Sequence, residues 1–143
     1  AGGRVHRFPC RVYFEDTALS GVAYHANYLR WMERARSDLL RVAGIDQRGA
    51  FEAGEGVYAV ADLSIRYLAP ARLDDDLMVE TQCLALGGAS VTMRQRVLRG
   101  ATLLADATVR AGFLTPAGRP RRQPAGWLAL FDRALPPLAP KRA

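Results

Sequence analysis

The sequence predicts an α+β fold in which one long amphipathic helix is wrapped by an antiparallel sheet. Three observations carry this expectation. Between Ala26 and Ala43 apolar side chains recur at Tyr28, Trp31, Met32, Ala35, Leu39 and Val42, the period of a helix with one buried stripe. From Val57 onward the apolar period changes to two over four successive segments. The connections between those segments are short and rich in glycine, aspartate or arginine, so consecutive strands are expected to run in opposite directions.

Taken in order, VHRFPCRVYF at residues 5–14 is rich in β-branched and aromatic types and reads as a first strand, with Pro9 placing its start near an edge or bend. The helix over 26–43 follows and Gly44 stops it. Arg34 and Asp38 stand one turn apart on its polar side, spaced to pair. VYAVADLSIRYL at 57–68 carries Val57, Ala59, Ala61, Leu63, Ile65 and Tyr67 on one face and Asp62, Ser64 and Arg66 on the other, and Pro70 ends it. A polar turn, ARLDDD at 71–76, leads into LMVETQCLAL at 77–86. Gly87 and Gly88 turn the chain into ASVTMRQRVL, and Arg99 and Gly100 turn it again into ATLLADATVRAGFLT, ending at Thr115. Four such strands predict a meander. From Pro116 the tail holds six of the eight prolines and the cluster Arg119, Arg121 and Arg122. A short amphipathic helix is expected at Trp127–Arg133, with frayed final residues. The chain therefore reads as one domain over 1–143, with a core over about 5–115 and a Pro/Arg-rich tail over about 116–143. A sheet of this length exceeds what one helix covers, so the remaining apolar surface is expected to be buried against a second copy.

Half of the 143 residues are apolar and about a quarter are charged, the composition of a globular chain with disorder expected only at the ends. No apolar run reaches the length of a membrane span, and AGGRVHRFPC lacks the apolar core of a secretion signal, so a cytoplasmic location is expected. Cys10 and Cys83 have no partner at metal-ligand spacing and read as reduced packing residues, with no metal site. The net charge is +6, carried almost wholly by arginine, since Lys141 is the only lysine. Such a surface favours an anionic partner, a phosphate-bearing molecule, a nucleic acid or a lipid headgroup. No helix-turn-helix, RNP or zinc pattern supports the nucleic acid.

The polar stretch EDTALSGVAYHANYL, residues 15–29, runs straight into the long helix. In one reading it is structural: Asp16, Thr17 or Ser20 caps a turn, Gly21 relieves a tight backbone, and Asn27 satisfies free N–H groups at the helix start. That reading leaves unexplained why Tyr24 and His25 stand at the very start of a buried helix. A helix N-terminus presents unpaired N–H groups and a partial positive charge, so it can polarise a carbonyl or hold an oxyanion. His25 could orient a substrate or a water, although a lone histidine is more often structural. No cysteine neighbours a histidine and no GxSxG elbow occurs, so Ser-His-Asp hydrolysis has no support. Gly87 and Gly88 fit a hairpin rather than a phosphate loop.

The segment RVYFEDTALSGVAYHANYLRWMERAR, Arg11 to Arg36, together with YLAPARLDDDL, Tyr67 to Leu77, resembles the hotdog-fold acyl-CoA thioesterases of the Tol-Pal-associated, YbgC-like group, relatives of 4-hydroxybenzoyl-CoA thioesterase. The resemblance runs over about residues 5 to 115. It implies the hotdog fold, a long central helix wrapped by a five-stranded antiparallel sheet. It also implies hydrolysis of an acyl-CoA thioester to free acid and CoA, with no separate cofactor because CoA belongs to the substrate. Further implications are homodimers joined edge to edge, their pairing into homotetramers, acyl carrier protein as another carrier, and peripheral association with the cell envelope.

In that family the loop before the helix reads Glu-Asp-Thr-Asp, two variable residues, then Gly. Glu15, Asp16, Thr17 and Gly21 match, as does the run from Tyr24 to Tyr28, but the second aspartate, the family's catalytic carboxylate, is here Ala18. The site implied by the resemblance is position 18 with Tyr24 and His25, whose backbone N–H groups receive the thioester oxygen, and with Asp16, Gly21 and Asn27 against the substrate. Arg66, Arg72, Arg94 and Arg96 are candidates for the CoA phosphates, though each fits a solvated face equally well. Trp31, Met32, Tyr58 and Leu63 are expected to set pocket depth. Three explanations of Ala18 stay open. It is an engineered inactivating substitution; or a natural loss that leaves a non-catalytic acyl-CoA or acyl-carrier-protein binding scaffold; or Asp16, Glu15 or His25 has taken over the work.

Overall fold

The computed structural model describes residues 4–138. Along the chain come β1 (His6–Arg11), a single 3-10 turn (Phe14–Asp16), α1 (Ala26–Ala43), α2 (Gln47–Glu52), β2 (Val57–Tyr67), β3 (Asp76–Leu86), β4 (Ser90–Arg99), β5 (Thr102–Leu114) and α3 (Trp127–Ala134). The five strands form one antiparallel sheet in the order β1-β3-β4-β5-β2. The α+β architecture of one long helix against a five-stranded sheet is the predicted one.

Helix α1 buries Tyr28, Trp31, Met32, Ala35, Leu39 and Leu40. The first four join Val79, Val97, Leu104 and Val109 of the sheet in one core cluster. Val42, expected on the stripe, is instead 70% exposed, and Leu40 carries the stripe onward into a second cluster. Gly44 then takes a left-handed φ of +87° and its N–H caps the carbonyls of Leu40 and Arg41. Asp38 does not pair with Arg34; its carboxylate meets His6 Nε2 at 2.8 Å and ties β1 to α1. The connection after Gly44 holds a helix that periodicity did not show, α2, whose cap Asp46 accepts from the Gly49 N–H at 2.9 Å.

The strand order corrects the predicted meander. Only β3, β4 and β5 follow one another as neighbours; β2 lies beyond β5 at one edge and β1 beyond β3 at the other. Residues 68–75 are therefore no hairpin turn but a strap that crosses the end of the sheet from β2 to β3. Eight residues reach about 26 Å when extended, and three strand spacings need only about 14 Å. The strap is held along its length. Leu68 N–H donates to Leu104 O (2.8 Å), Ala71 O accepts from Ala23 N–H (2.8 Å), and Asp74 N–H and Asp75 O bond Val12 at 2.9 and 3.0 Å. Asp74 sits at φ +68°, a left-handed conformation that aspartate tolerates. The Asp75 carboxylate accepts from Arg72 N–H (2.8 Å) and from Arg99 (2.9 Å). Partial burial pushes that carboxyl up, but the hydrogen bonds from Arg72 and Arg99 together prevail and leave it below the usual carboxylate range.

Two further expectations change. In β2 the alternation of faces breaks at a bulge between Val60 and Asp62, and the edge strand leaves Val57, Val60 and Leu63 substantially exposed. The helix expected at Trp127–Arg133 forms as α3, but the tail, placed outside a core of about 5–115, belongs to that core. Arg121 N–H bonds Phe113 O (2.9 Å), Gln123 Nε2 bonds Gly87 O (2.9 Å), and the Tyr58 hydroxyl donates to Gln123 Oε1. Helix α3 then inserts Trp127 and Phe131, followed by Leu135, into the second cluster beside Leu39, Leu86 and Phe113. The final residues, which the sequence expects to fray, lie outside the described residues from 139 onward. Cys10 and Cys83 are free, and burial pushes each thiol up to about 11, as suits unreactive packing residues.

Phe131 is 1% exposed, so Phe131→Ala is expected to destabilise the protein by about 3–5 kcal/mol in urea unfolding. A loss below about 1 kcal/mol would show that the tail packs on the domain without completing its core.

Candidate active site

The loop that precedes α1 is built almost entirely by backbone groups. The 3-10 turn at Phe14–Asp16 is closed by the Asp16 carboxylate, which accepts from Tyr13 N–H at 2.9 Å, and by the Thr17 hydroxyl, which donates to Phe14 O at 2.7 Å. A tight hairpin follows. Thr17 bridges Ala23, Ala18 N–H donates to Val22 O, and Gly21 N–H donates to Ala18 O, the last two at 2.9 Å. Gly21 has φ +77°, which glycine adopts without the Cβ clash other residues meet. Ala18 is thus the first corner of a four-residue turn, with an exposed side chain. The turn is clamped to the strap by the Val22–Arg72 bridge and by Leu73 N–H on Gly21 O (2.9 Å).

The carbonyl of Asp16 then fixes the helix start by accepting twice, from Tyr24 N–H at 2.9 Å and from Asn27 Nδ2 at 2.7 Å. Asn27 is 6% exposed, so its amide depends on this partner. Asn27 N–H bonds Tyr24 O (3.0 Å) and Tyr28 N–H bonds His25 O (3.2 Å). The amides of His25 and Ala26 find no acceptor among the described residues. His25 is the N-cap residue in helical conformation, no side chain caps the helix, and no acidic residue stands in its first turn. The positive end of an 18-residue helix therefore opens outward with two free N–H donors.

Aromatic rings frame these donors. His25 packs against Tyr24 (centroids 4.5 Å apart) and edge-on against Tyr67 (5.8 Å), which in turn meets Tyr28 at 5.2 Å. The Tyr67 hydroxyl donates to His25 O at 3.2 Å. Tyr28 Oη accepts from Ala71 N–H at 2.8 Å, and burial raises that phenol above its ordinary pKa. Tyr24 is 57% exposed, and the imidazole of His25 has no hydrogen-bond partner among the described residues, so both can meet a ligand.

All six residues singled out from the sequence, Asp16, Ala18, Gly21, Tyr24, His25 and Asn27, come together at this junction. Their work divides differently from expectation. Asp16 and Asn27 hold the backbone, and the Tyr24 amide is consumed by Asp16 O, so the free donors belong to His25 and Ala26. Tyr28, Tyr67 and the Ala26 amide join the site without a role predicted for them; the two tyrosines stand in the sequence as members of apolar faces and of the segments that carry the family resemblance. Trp31 and Met32 lie in the core beneath, fully buried. Arg94 pairs with Asp106 (2.7 Å) and Arg96 with Glu80 (3.1 Å) on the outer face of the sheet, while Arg66 and Arg72 are exposed. Among the described residues no cluster of His, Cys, Asp or Glu could hold a metal ion, and no helix is long and apolar enough to cross a membrane.

A five-stranded antiparallel sheet around one long helix, with free amides at the exposed helix start, defines a hotdog-fold protein. The chain belongs to the thioesterase superfamily, whose family model matches residues 20–105, beginning just after the turn corner at Ala18. It is 44% identical over 103 residues to the acyl-CoA thioesterase YbgC of Haemophilus influenzae, covering 72% of this chain and 76% of that one. It is 39% identical over 129 residues to the acyl-CoA thioester hydrolase YbgC of Escherichia coli, covering 89% and 96%. Among solved structures, a probable thioesterase from Bartonella henselae superposes with a TM-score of 0.79 at 36% identity, over 85% of this chain and 100% of that one.

Asn27→Leu removes the donor but keeps the volume. It is expected to cost about 1–3 kcal/mol in urea unfolding, with faster hydrogen exchange at the Tyr24 amide. Unchanged stability and exchange would mean that Asp16 O is held without Asn27.

Proposed function

We propose that this chain is an acyl-CoA thioesterase by architecture, hydrolysing the thioester to free acid and CoA, and that Ala18 impairs the chain at the chemical step. The observation that carries this reading is the pair of unpaired amides, His25 and Ala26, at an open helix start beside the turn corner at residue 18. The names of the YbgC relatives support the acyl-CoA substrate.

The thioester carbonyl oxygen would accept from the His25 and Ala26 N–H groups. As the carbonyl carbon is attacked, the carbonyl π electrons move onto that oxygen. The developing charge lies at the positive end of α1, where fixed donors stabilise it without reorganising. Collapse of the tetrahedral species expels the CoA thiolate. A carboxylate at position 18 would attack the carbon itself or take a proton from the attacking water, and a methyl group does neither. His25 and Tyr24 would orient the acyl group, and no cofactor enters the scheme. The compartment that this reading implies is the cytoplasm, with acyl carrier protein as an alternative carrier.

The turn uses only the backbone of Ala18, which leaves the side chain free to differ without disturbing the loop. Asp16 is committed to Tyr13 N–H and is poorly placed to take over. Both points favour an inactivating substitution on an otherwise intact enzyme. Ala18→Asp is therefore expected to raise hydrolysis across a panel of acyl-CoAs by about 10²- to 10⁴-fold over the chain as it stands. If tight acyl-CoA binding persists and the rate does not move, the chain is a non-catalytic binding or scaffold protein instead.

The reading also includes a homodimer joined along β2, and dimers of dimers beyond it. The exposed Val57, Val60 and Leu63 beside the open edge of β2 support this. Light scattering at micromolar concentration is expected to report at least twice the chain mass, and the double substitution Val60→Lys, Leu63→Lys should lower it. A monomeric wild type would remove the edge-to-edge dimer from the proposal.

A further inference from the structure

A cavity of about 310 Å³ lies along the middle of α1, away from the helix start. Its floor includes Val91, Met93 and Phe131, Tyr58 of β2 borders it, and Arg36 and Glu33 of α1 line it from the helix side. Arg36 is partly buried, and desolvation holds its guanidinium below the usual arginine range although the charge of Glu33 acts the other way.

What fixes Arg36 is a buried polar chain. Gln95 is wholly buried, and its Nε2 donates to Met32 O (3.0 Å) and Thr81 Oγ1 (3.1 Å). With the nitrogen committed on one side, Oε1 is aimed at α1 and accepts from Arg36 Nη1 at 2.9 Å. That is the one hydrogen bond the guanidinium makes among the described residues, and none of their carboxylates lies within ion-pair distance of it. The other partly buried arginines, Arg94, Arg96 and Arg99, each have a carboxylate partner. Glu33 is exposed and sits at the rim, where solvent screens it. A positioned cation with unused donors against an apolar floor has only the non-contacting charge of Glu33 to offset its desolvation, and a half-desolvated charge is costly without a bonded partner.

We infer that this cavity binds an organic anion, with a carboxylate on Arg36 and a hydrocarbon body on the floor formed by Val91, Met93 and Phe131. Ten residues separate Ala26 from Arg36, about 15 Å along a helix axis, so the anion site is distinct from the helix-start donors. The carboxylate has two sources of the same chemistry: a free carboxylic acid, or the far carboxyl end of a long acyl group.

The test needs no turnover, so its outcome is independent of whether the chain hydrolyses thioesters. Octanoate is titrated calorimetrically into the intact protein beside octanol, with Arg36→Gln and Arg36→Lys as variants. Saturable octanoate binding is expected, at least tenfold tighter than octanol. Arg36→Gln should weaken it at least tenfold, and Arg36→Lys should keep part of it. Should Arg36→Gln fail to fold, octanoate-induced shifts of the Met93 methyl in the unaltered chain locate the site. A second arm compares dodecanedioyl-CoA with dodecanoyl-CoA. A preference for the former that Arg36→Gln abolishes assigns the anion to the acyl end, and octanoate binding without that preference assigns it to a free acid. No octanoate binding at millimolar concentration, equal binding of octanol, binding indifferent to Arg36→Gln, or octanoate binding that leaves the Met93 methyl unshifted overturns the proposal.

Discussion

The carbonyl of Asp16 is the point on which the rest of the site depends. A helix begins with N–H groups that its own turns cannot satisfy, and a protein must pair them, cap them or leave them to a ligand. Here Asp16 O takes the Tyr24 amide and the buried Asn27 side chain together, which welds the preceding hairpin to the helix. The next two amides, His25 and Ala26, are thereby left outside the weld. Donors that carry no internal partner yet cannot move are what a carbonyl ligand meets with least reorganisation.

That weld is in turn held by topology. Because β2 and β3 lie apart in the sheet, their connection must cross the end of the molecule, and it crosses beneath the hairpin. Ala71 and Leu73 bond the hairpin, and Ala71 N–H also meets the hydroxyl of Tyr28 in the first turn of α1. Tyr67, the last residue of β2, reaches the carbonyl of His25 from the other side. The strap thus converts a strand order that sequence patterning does not reveal into the positioning of the helix start. The same strand order leaves β2 as an edge.

How much of this could be read from residues alone follows from what each type of residue reports. The stripe of Tyr28, Trp31, Met32, Ala35 and Leu39 announces α1 because burial on one face has a period. The strands announce themselves for the same reason. A period of two shows that a segment is a strand and is silent about its neighbours, which is why ARLDDD looks like a hairpin turn. Residues 15–29 stand out through their polar types, so their membership of the site was legible. The choice of which amide is free was not, since backbone hydrogen bonds carry no residue signature: Tyr24 is occupied and Ala26 is open. Gln95 and Arg36 escaped notice for a related reason. Each is an ordinary polar residue in its local pattern, and only packing shows that one is wholly buried and that the other bonds it in place of a carboxylate. The short helix of the tail is legible in the amphipathic run at Trp127–Arg133, whereas its place in the core is not, since the proline-rich stretch before it gives no sign that Trp127 and Phe131 pack against Leu39 and Phe113.

Position 18 separates the fold from its chemistry. Its N–H and carbonyl close the turn, so any L-residue that accepts that backbone conformation preserves the hairpin, and alanine does so with a single methyl exposed to solvent. The field at the helix start arises from peptide dipoles and free amides, none of which belongs to residue 18. On the proposed reading, binding of a thioester carbonyl and the chemistry on it therefore fall to different parts of one loop, one made of backbone and one of a side chain. On that reading, Ala18 leaves the backbone part as it is and removes only what a side chain at that corner would contribute to the chemistry.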